Sequence, residues 1–107
     1  MKRNNVLRVD LRNLSSIRDM HVRIKEGLRF PDYYGENWYA FWDCATDLLG
    51  EELEIELIGV EWLQRRYPAE WEVMFAYLKD LKHYDDDRYA DITHIILVTG
   101  DARIEIR

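Results

Sequence analysis

PDYYGENWYAFWDCATD, residues 31–47, is the least generic stretch of the chain. It carries Tyr33, Tyr34 and Tyr39 together with Trp38 and Trp42, two of the chain's four tryptophans. Asn37 can cap a helix with its side chain, and Gly35 can supply a positive φ just before it. The helix so started runs from about Asn37 to Leu49. On a wheel of about 100° per residue, Trp38, Phe41, Ala45, Leu48 and Leu49 share one stripe with Cys44 beside them. That stripe is the core side. Tyr39, Asp43, Thr46 and Asp47 gather opposite it, and Trp42 falls on the border. A wet helix face ordinarily carries Lys, Arg, Glu and Gln, which are good helix formers. This one carries Tyr, Thr and two Asp, with no base. Aromatic side chains on a wet face are enriched where partners dock. Composition leaves two readings open, a solvated helix or a surface built to be touched. The loop ahead divides in the same way. Tyr33 and Tyr34 are adjacent, so in an extended loop one packs inward while the other faces out.

Outward from this stretch, strands and helices alternate. Val6 to Leu11 reads as a first strand. Ser15 or Ser16 caps a helix with Asp19 in its first turn, and Gly27 reads as its C-terminal stop. Arg29 to Glu36 is a loop. Glu54 to Val60 is a second strand, in which Leu53, Ile55 and Leu57 alternate with Glu52, Glu54 and Glu56, the pattern of a strand with one wet face or at an edge. Pro68 opens a further helix with Trp71, Met74, Phe75, Leu78 and Leu81 as its stripe. Ile92 to Val98 is a well-buried strand. Gly100-Asp101 is a turn signal, and Ala102 to Arg107 alternates after it as a short strand folding back. The expected fold is α/β, a small, mostly parallel three-stranded sheet packed with helices, with an extra C-terminal strand. Residues 1–107 form one domain on this reading.

Composition narrows the classes of function. Apolar residues make up 48% of the 107 and charged residues 34%, the balance of a soluble globular chain. No apolar run reaches the roughly 20 residues of a membrane span. Met1 to Asn13 starts basic but has no apolar core, so no secretory signal is read there. Cys44 stands alone, which excludes an internal disulfide and any CxxC metal site. Both features suit the cytoplasm. The net charge of −6, from 21 acids against 15 bases, argues against direct nucleic-acid binding and favours a cationic partner.

Other candidate sites read as structural. Asp85, Asp86 and Asp87 are consecutive and cannot converge on one cation, so a solvated loop is expected. His21, His83 and His94 lack metal-ligand spacing. His94 sits inside an apolar strand, where a hydrogen-bonded structural role is the usual one. Asp43 and Asp47 are four apart on one face, so a hydrolytic carboxylate pair is geometrically open, but no cleft or metal motif accompanies it.

FPDYYGENWYAFWDCATDLL, residues 30–49, resembles the signature of the barstar family, intracellular inhibitors of barnase-type ribonucleases. Pro31, Asp32, Tyr33, Tyr34, Gly35, Glu36 and Asn37 match its opening without a gap, and Ala40, Phe41, Trp42, Asp43, Cys44, Ala45 and Thr46 match its second half. DITHIIL, residues 91–97, is similar to the family's last strand, with His94 as an insertion. The resemblance implies a non-enzymatic inhibitor without cofactor or metal. It would cover the active site of a cationic, secreted, barnase-like ribonuclease one to one, with no contact to nucleic acid or membrane. The implied contact residues are Tyr33, Asn37, Tyr39, Trp42, Asp43, Thr46 and Asp47, with Leu48 beside them. Asp43 would mimic the RNA phosphate. Tyr39 stands where the family has an acid, Asp47 where it has Gly and Leu48 where it has Trp. The family's second cysteine falls near Ala90. These departures point to a target related to barnase but distinct from it. The alternatives are an immunity or regulatory module on the same scaffold aimed at another toxin, and, last, a hydrolase using Asp43 and Asp47.

Overall fold

A computed structural model describes residues 5–48, 52–84 and 93–107. The element order is β1 (Asn5–Asp10), α1 (Ile17–Leu28), α2 (Trp38–Thr46), β2 (Leu53–Ile58), α3 (Val60–Arg66), α4 (Pro68–Lys82), β3 (Thr93–Val98) and β4 (Arg103–Ile106). The sheet order is β1-β2-β3-β4. The first three strands are parallel, and β4 returns antiparallel on β3. The expected α/β fold and the extra C-terminal strand are both present.

The register explains the strand sequences. Leu7, Ile55, Ile95 and Ile106 lie side by side across the sheet and all are buried. They face a core to which α1 adds Met20, Ile24 and Leu28, α2 adds Phe41, Cys44 and Ala45, and α4 adds Met74, Leu78 and Leu81. The opposite sheet face is mixed, with Ile58, Ile96 and Val98 beside polar or charged residues of all four strands. β2 is central rather than an edge, because its acids are held by neighbouring arginines instead of by water. Glu56 is buried and pairs with Arg8 at 2.7 Å and Arg103 at 2.6 Å, and Glu54 takes a second Arg103 nitrogen at 3.2 Å. The Arg103 hydrogen bond, helped by Arg8, holds the Glu56 carboxyl below its ordinary value against the cost of burial. His94 is the hydrogen-bonded strand histidine expected, with Nδ1 2.8 Å from Glu105 Oε2.

Ser16, not Ser15, is the N-cap of α1. Its hydroxyl accepts from Asp19 N–H at 2.9 Å, while Ser15 N–H donates to the Asp19 carboxylate at 3.0 Å. Gly27 does not end the helix. Arg29 does, at φ 58°, with Phe30 N–H closing onto the Lys25 carbonyl at 2.9 Å. Gly27 serves instead to let α1 approach β1, since a Cβ there would stand 2.3 Å from the Arg8 carbonyl oxygen and 2.9 Å from Val9 Cγ2. Alanine in a helix is ordinarily about 0.5–1 kcal/mol better than glycine. Here Gly27→Ala is expected to destabilise by about 1–3 kcal/mol, because the clash is with strand backbone that cannot move aside. A denaturant midpoint at or above the wild-type value would show that the approach is not tight.

The second strand ends two residues earlier than its sequence suggests. Gly59, at φ 76°, turns the chain, and Val60 begins α3, a helix the sequence reading omitted. Pro68 is the first residue of α4, as expected. Within the described residues α2 ends at Thr46, and Leu49, Asp85 to Asp87 and Ala90 lie outside them.

Candidate functional site

The loop from Phe30 to Asn37 is pinned to the core by Tyr34 and leaves Tyr33 outside. Tyr34 is buried, whereas Tyr33 is 79% exposed. The Tyr34 hydroxyl lies 2.7 Å from His21 Nδ1 on α1, and its ring packs on Phe30 at 5.2 Å. Arg18 to Glu36 at 3.4 Å and Lys25 to Asp32 at 3.5 Å tie the same loop to the helix surface. The positive φ falls on Glu36, at 53°, and not on Gly35. Asn37 is the cap that starts α2. Its side-chain oxygen accepts from Ala40 N–H at 2.8 Å, and its amide donates to the Gly35 carbonyl at 3.1 Å.

Burial keeps the His21 imidazole below its ordinary value of 6.5, with the charges of Glu70 and Glu36 opposing the shift. Burial likewise pushes the Tyr34 phenol up. The contact therefore joins a neutral imidazole to a protonated phenol. Because the unfolded chain takes up a proton at His21 where the native chain does not, its contribution is complete above about 6.5 and fades as pH falls below it. Thermal melts from about pH 8 to about pH 5 should show this decline, and His21→Gln should flatten it. An unchanged slope in the variant would remove His21 as the cause.

Along α2 the wheel reading holds. Phe41, Cys44 and Ala45 are buried, and Trp38 and Leu48 are partly buried against the core. Tyr39 is 83% exposed, and Asp43 and Asp47 are exposed with it. Thr46 is half-buried, its hydroxyl donating to the Asp43 carbonyl at 3.0 Å. Among the described residues no cation lies within ion-pair distance of the Asp43 carboxylate, and no side chain donates to it. Asp43 lies in the last turn of α2 and Asp47 is its C-cap, with no base in that turn. Acids at this end of a helix face the negative pole of its dipole, an arrangement worth about 0.3–1 kcal/mol against the fold for each charge. Stability does not explain the placement of these two carboxylates.

Trp42, on the border of the wheel, is braced from α4. Its ring meets Tyr77 at 5.6 Å and Tyr84 edge-on at 5.9 Å. Trp38 stacks on Tyr77 at 6.2 Å and donates its indole N–H to Glu70 at 2.7 Å. Sequence reasoning read Tyr77 only as a core or rim aromatic and assigned no role to Tyr84 or Glu70, and their distance along the chain from α2 gave no signal of the contact. Cys44 is no nucleophile: burial first, then the charges of Asp47 and Asp43, push its thiol above the ordinary value. A groove of about 740 Å³ opens between α1 and the loop, lined by Arg18, Lys25, Glu26, Phe30 and Glu36 among others, and neither Asp43 nor Asp47 lines it. Among the described residues, no three His, Cys, Asp or Glu side chains stand close enough to hold a metal ion, and no helix is long and apolar enough to cross a membrane.

Helices packed on a mostly parallel four-stranded sheet, with an acidic and aromatic helix presented at the surface, define a barstar-like α/β domain. The chain belongs to the barstar family, described as "Barstar (barnase inhibitor)", which it matches over residues 4–96. It is also similar to "Putative ribonuclease inhibitor YrdF" of Bacillus subtilis (strain 168), at 40% identity over 53 residues. That match covers 50% of this chain and 58% of the relative, so it spans little more than half of that protein.

Proposed function

We propose that this protein is an intracellular inhibitor of a barnase-type ribonuclease, acting one to one without enzymatic activity of its own. The observation that carries the reading is Asp43. It is an exposed carboxylate on a rigidly braced helix, with no cation of the described chain to neutralise it. A ribonuclease holds a phosphodiester with Arg, Lys and His. A carboxylate set into that cleft accepts the same charge-assisted hydrogen bonds, bidentate where Arg donates. Tyr33 would lie over the cleft with its ring, and Tyr39 and Trp42 would supply area at little entropic cost. Asn37 shapes the loop-to-helix junction by capping. Thr46 and Asp47 extend the face by one turn, and Leu48 closes it on the core side.

The test is a ribonuclease assay with a panel of small basic barnase-type enzymes, with and without the protein. Inhibition that is complete at one equivalent supports the reading. RNA turnover by the protein alone would favour the hydrolase instead, for which the groove beside α1 offers no support. An immunity module aimed at a different toxin predicts that no ribonuclease in the panel is inhibited.

Charge sets the kinetics as well. With a net charge of −6 and its unpaired acids on the docking face, the protein steers a basic nuclease inward. Attraction of this kind is screened over about 10 Å at 0.1 M salt. Association in stopped flow should slow markedly as ionic strength rises, while dissociation changes little. An association rate independent of salt would remove steering from the account.

A further inference from the structure

The family likeness ends at residue 96, and β4 lies beyond it. Among the described residues this strand is bonded on one side only, to β3. The hairpin closes with Thr99 N–H donating to the Ala102 carbonyl at 2.9 Å. With Leu97 opposite Ile104 and Ile95 opposite Ile106, that bond fixes the phase of the ladder. Ala102, Ile104 and Ile106 turn their backbone groups to β3, and Arg103 and Glu105 turn theirs outward. The outer edge is thus a row of free N–H and C=O groups. β4 contains no proline, and the side chains on its core face are Ile104 and Ile106; its shortness and the charges of Arg103 and Glu105 limit what can pair there to a strand of matching charge pattern. Ile104 is 53% exposed, one of few large apolar side chains left so.

We infer that this edge pairs with β4 of a second copy of the chain, antiparallel about a two-fold axis at Ile104. The argument is register. Arg103 and Glu105, the two β4 residues whose backbone groups face outward, are opposite in sign, and Arg107 follows them. With the axis at Ile104, Arg103 lies opposite Glu105 of the second copy and Ile104 opposite Ile104. Moving the axis to Arg103 sets Arg103 against itself. Moving it to Glu105 sets Glu105 against itself and Arg103 against Arg107. An axis between residues sets an outward backbone against an inward one and makes no ladder. The Ile104-centred register therefore pairs opposite charges where both neighbouring registers pair like ones, and like charges directly opposite are destabilising. Arg103 and Glu105 already contact Glu56, Glu54 and His94 within the chain, yet a guanidinium has five donors and Glu105 uses one oxygen. The two copies would join two four-stranded sheets into one, with their helices on the same side. None of the α2 face residues lies on β4, so the dimer stands or falls independently of the proposed inhibition. An edge contact of this size makes a weak dimer.

Sedimentation equilibrium tests it. From micromolar to millimolar protein, the apparent mass should rise from 13.0 kDa towards twice that value. Ile104→Lys sets like charges at the axis, and Glu105→Pro removes an outward N–H, and with it the side-chain contact to His94, while sparing the backbone bonds to β3. Both variants should remain monomeric with unchanged circular dichroism. Ile104→Cys, treated with a mild oxidant, should form a disulfide dimer, while the wild type, whose Cys44 is buried, should not. A wild-type mass that stays at 13.0 kDa at millimolar concentration overturns the inference. So does a dimer that persists in either folded variant, or an Ile104→Cys protein that dimerises but does not cross-link.

Discussion

If the proposed function holds, Asp43→Ala should bind the target ribonuclease about 2–5 kcal/mol more weakly than the wild type and unfold at the same temperature or slightly above it. The two halves of this expectation have separate causes. In the free protein the carboxylate is exposed and no cation of the described chain pairs with it, so the fold loses nothing when it goes. Relief of its repulsion with the helix C-terminus makes a small gain. In the complex the same carboxylate would be desolvated among the nuclease's cations, and truncating it leaves those cations buried without their partner. The loss should therefore appear mainly in the dissociation rate. Titration calorimetry and a thermal melt on one preparation measure both. Equal affinities would remove Asp43 from the contact, and a large fall in melting temperature would make it a structural residue.

Phe41→Ala, two positions earlier on the same helix, should do the opposite. The ring is 2% exposed and sits edge-on to Trp38 at 5.3 Å and to Phe30 at 6.0 Å. Deleting it removes a fully buried aromatic and opens a cavity between α2 and the loop, at a cost of about 3–5 kcal/mol. In a domain of this size that lowers the melting temperature by roughly 15–30 °C. Below the new transition the nuclease affinity should fall much less than for Asp43→Ala, because no contact residue is removed. A melting temperature within a few degrees of the wild type would mean that the faces of α2 are reversed.

The contrast between these residues was legible in the sequence because a helix separates its faces by simple periodicity, and α2 has apolar residues on one side and acids with aromatics on the other. The parallel sheet was legible because strands alternate with helices along the chain. What the pattern could not supply was the identity of neighbours. Glu54 and Glu56 suggested a wet edge because their arginine partners, Arg8 and Arg103, come from strands 48 and 49 residues away. Gly27 looked like a helix stop because glycine serves both as a cap and as a point of close approach, and only the packed strand decides between them, since a Cβ at Gly27 would clash with the Arg8 carbonyl. α3 was missed because a left-handed Gly59 starts it with no side-chain cap, so Val60 reads as one more strand residue. Tyr77 and Glu70 on α4, and Tyr84 just beyond its end, brace α2, a relation that exists only once the helices are packed.

Three positions of the face bear on which nuclease it fits. On the resemblance, Tyr39 stands in place of an acid, Asp47 in place of Gly and Leu48 in place of Trp. If the face docks as proposed, its negative charge is centred nearer the C-terminal end of α2. A target matched to this surface would carry its compensating cation displaced in the same sense, which is why a panel of related enzymes is the appropriate probe.

The central claim is that Asp43 occupies the place of the RNA phosphate, and competition with a mononucleotide tests it most directly. For an inhibited ribonuclease, the apparent dissociation constant of the complex should rise in proportion to added nucleotide once the active site is saturated, and Asp43→Ala should lose most of that sensitivity. An affinity that does not change when the nuclease active site is filled would contradict the claim, because inhibitor and phosphate would then occupy different places.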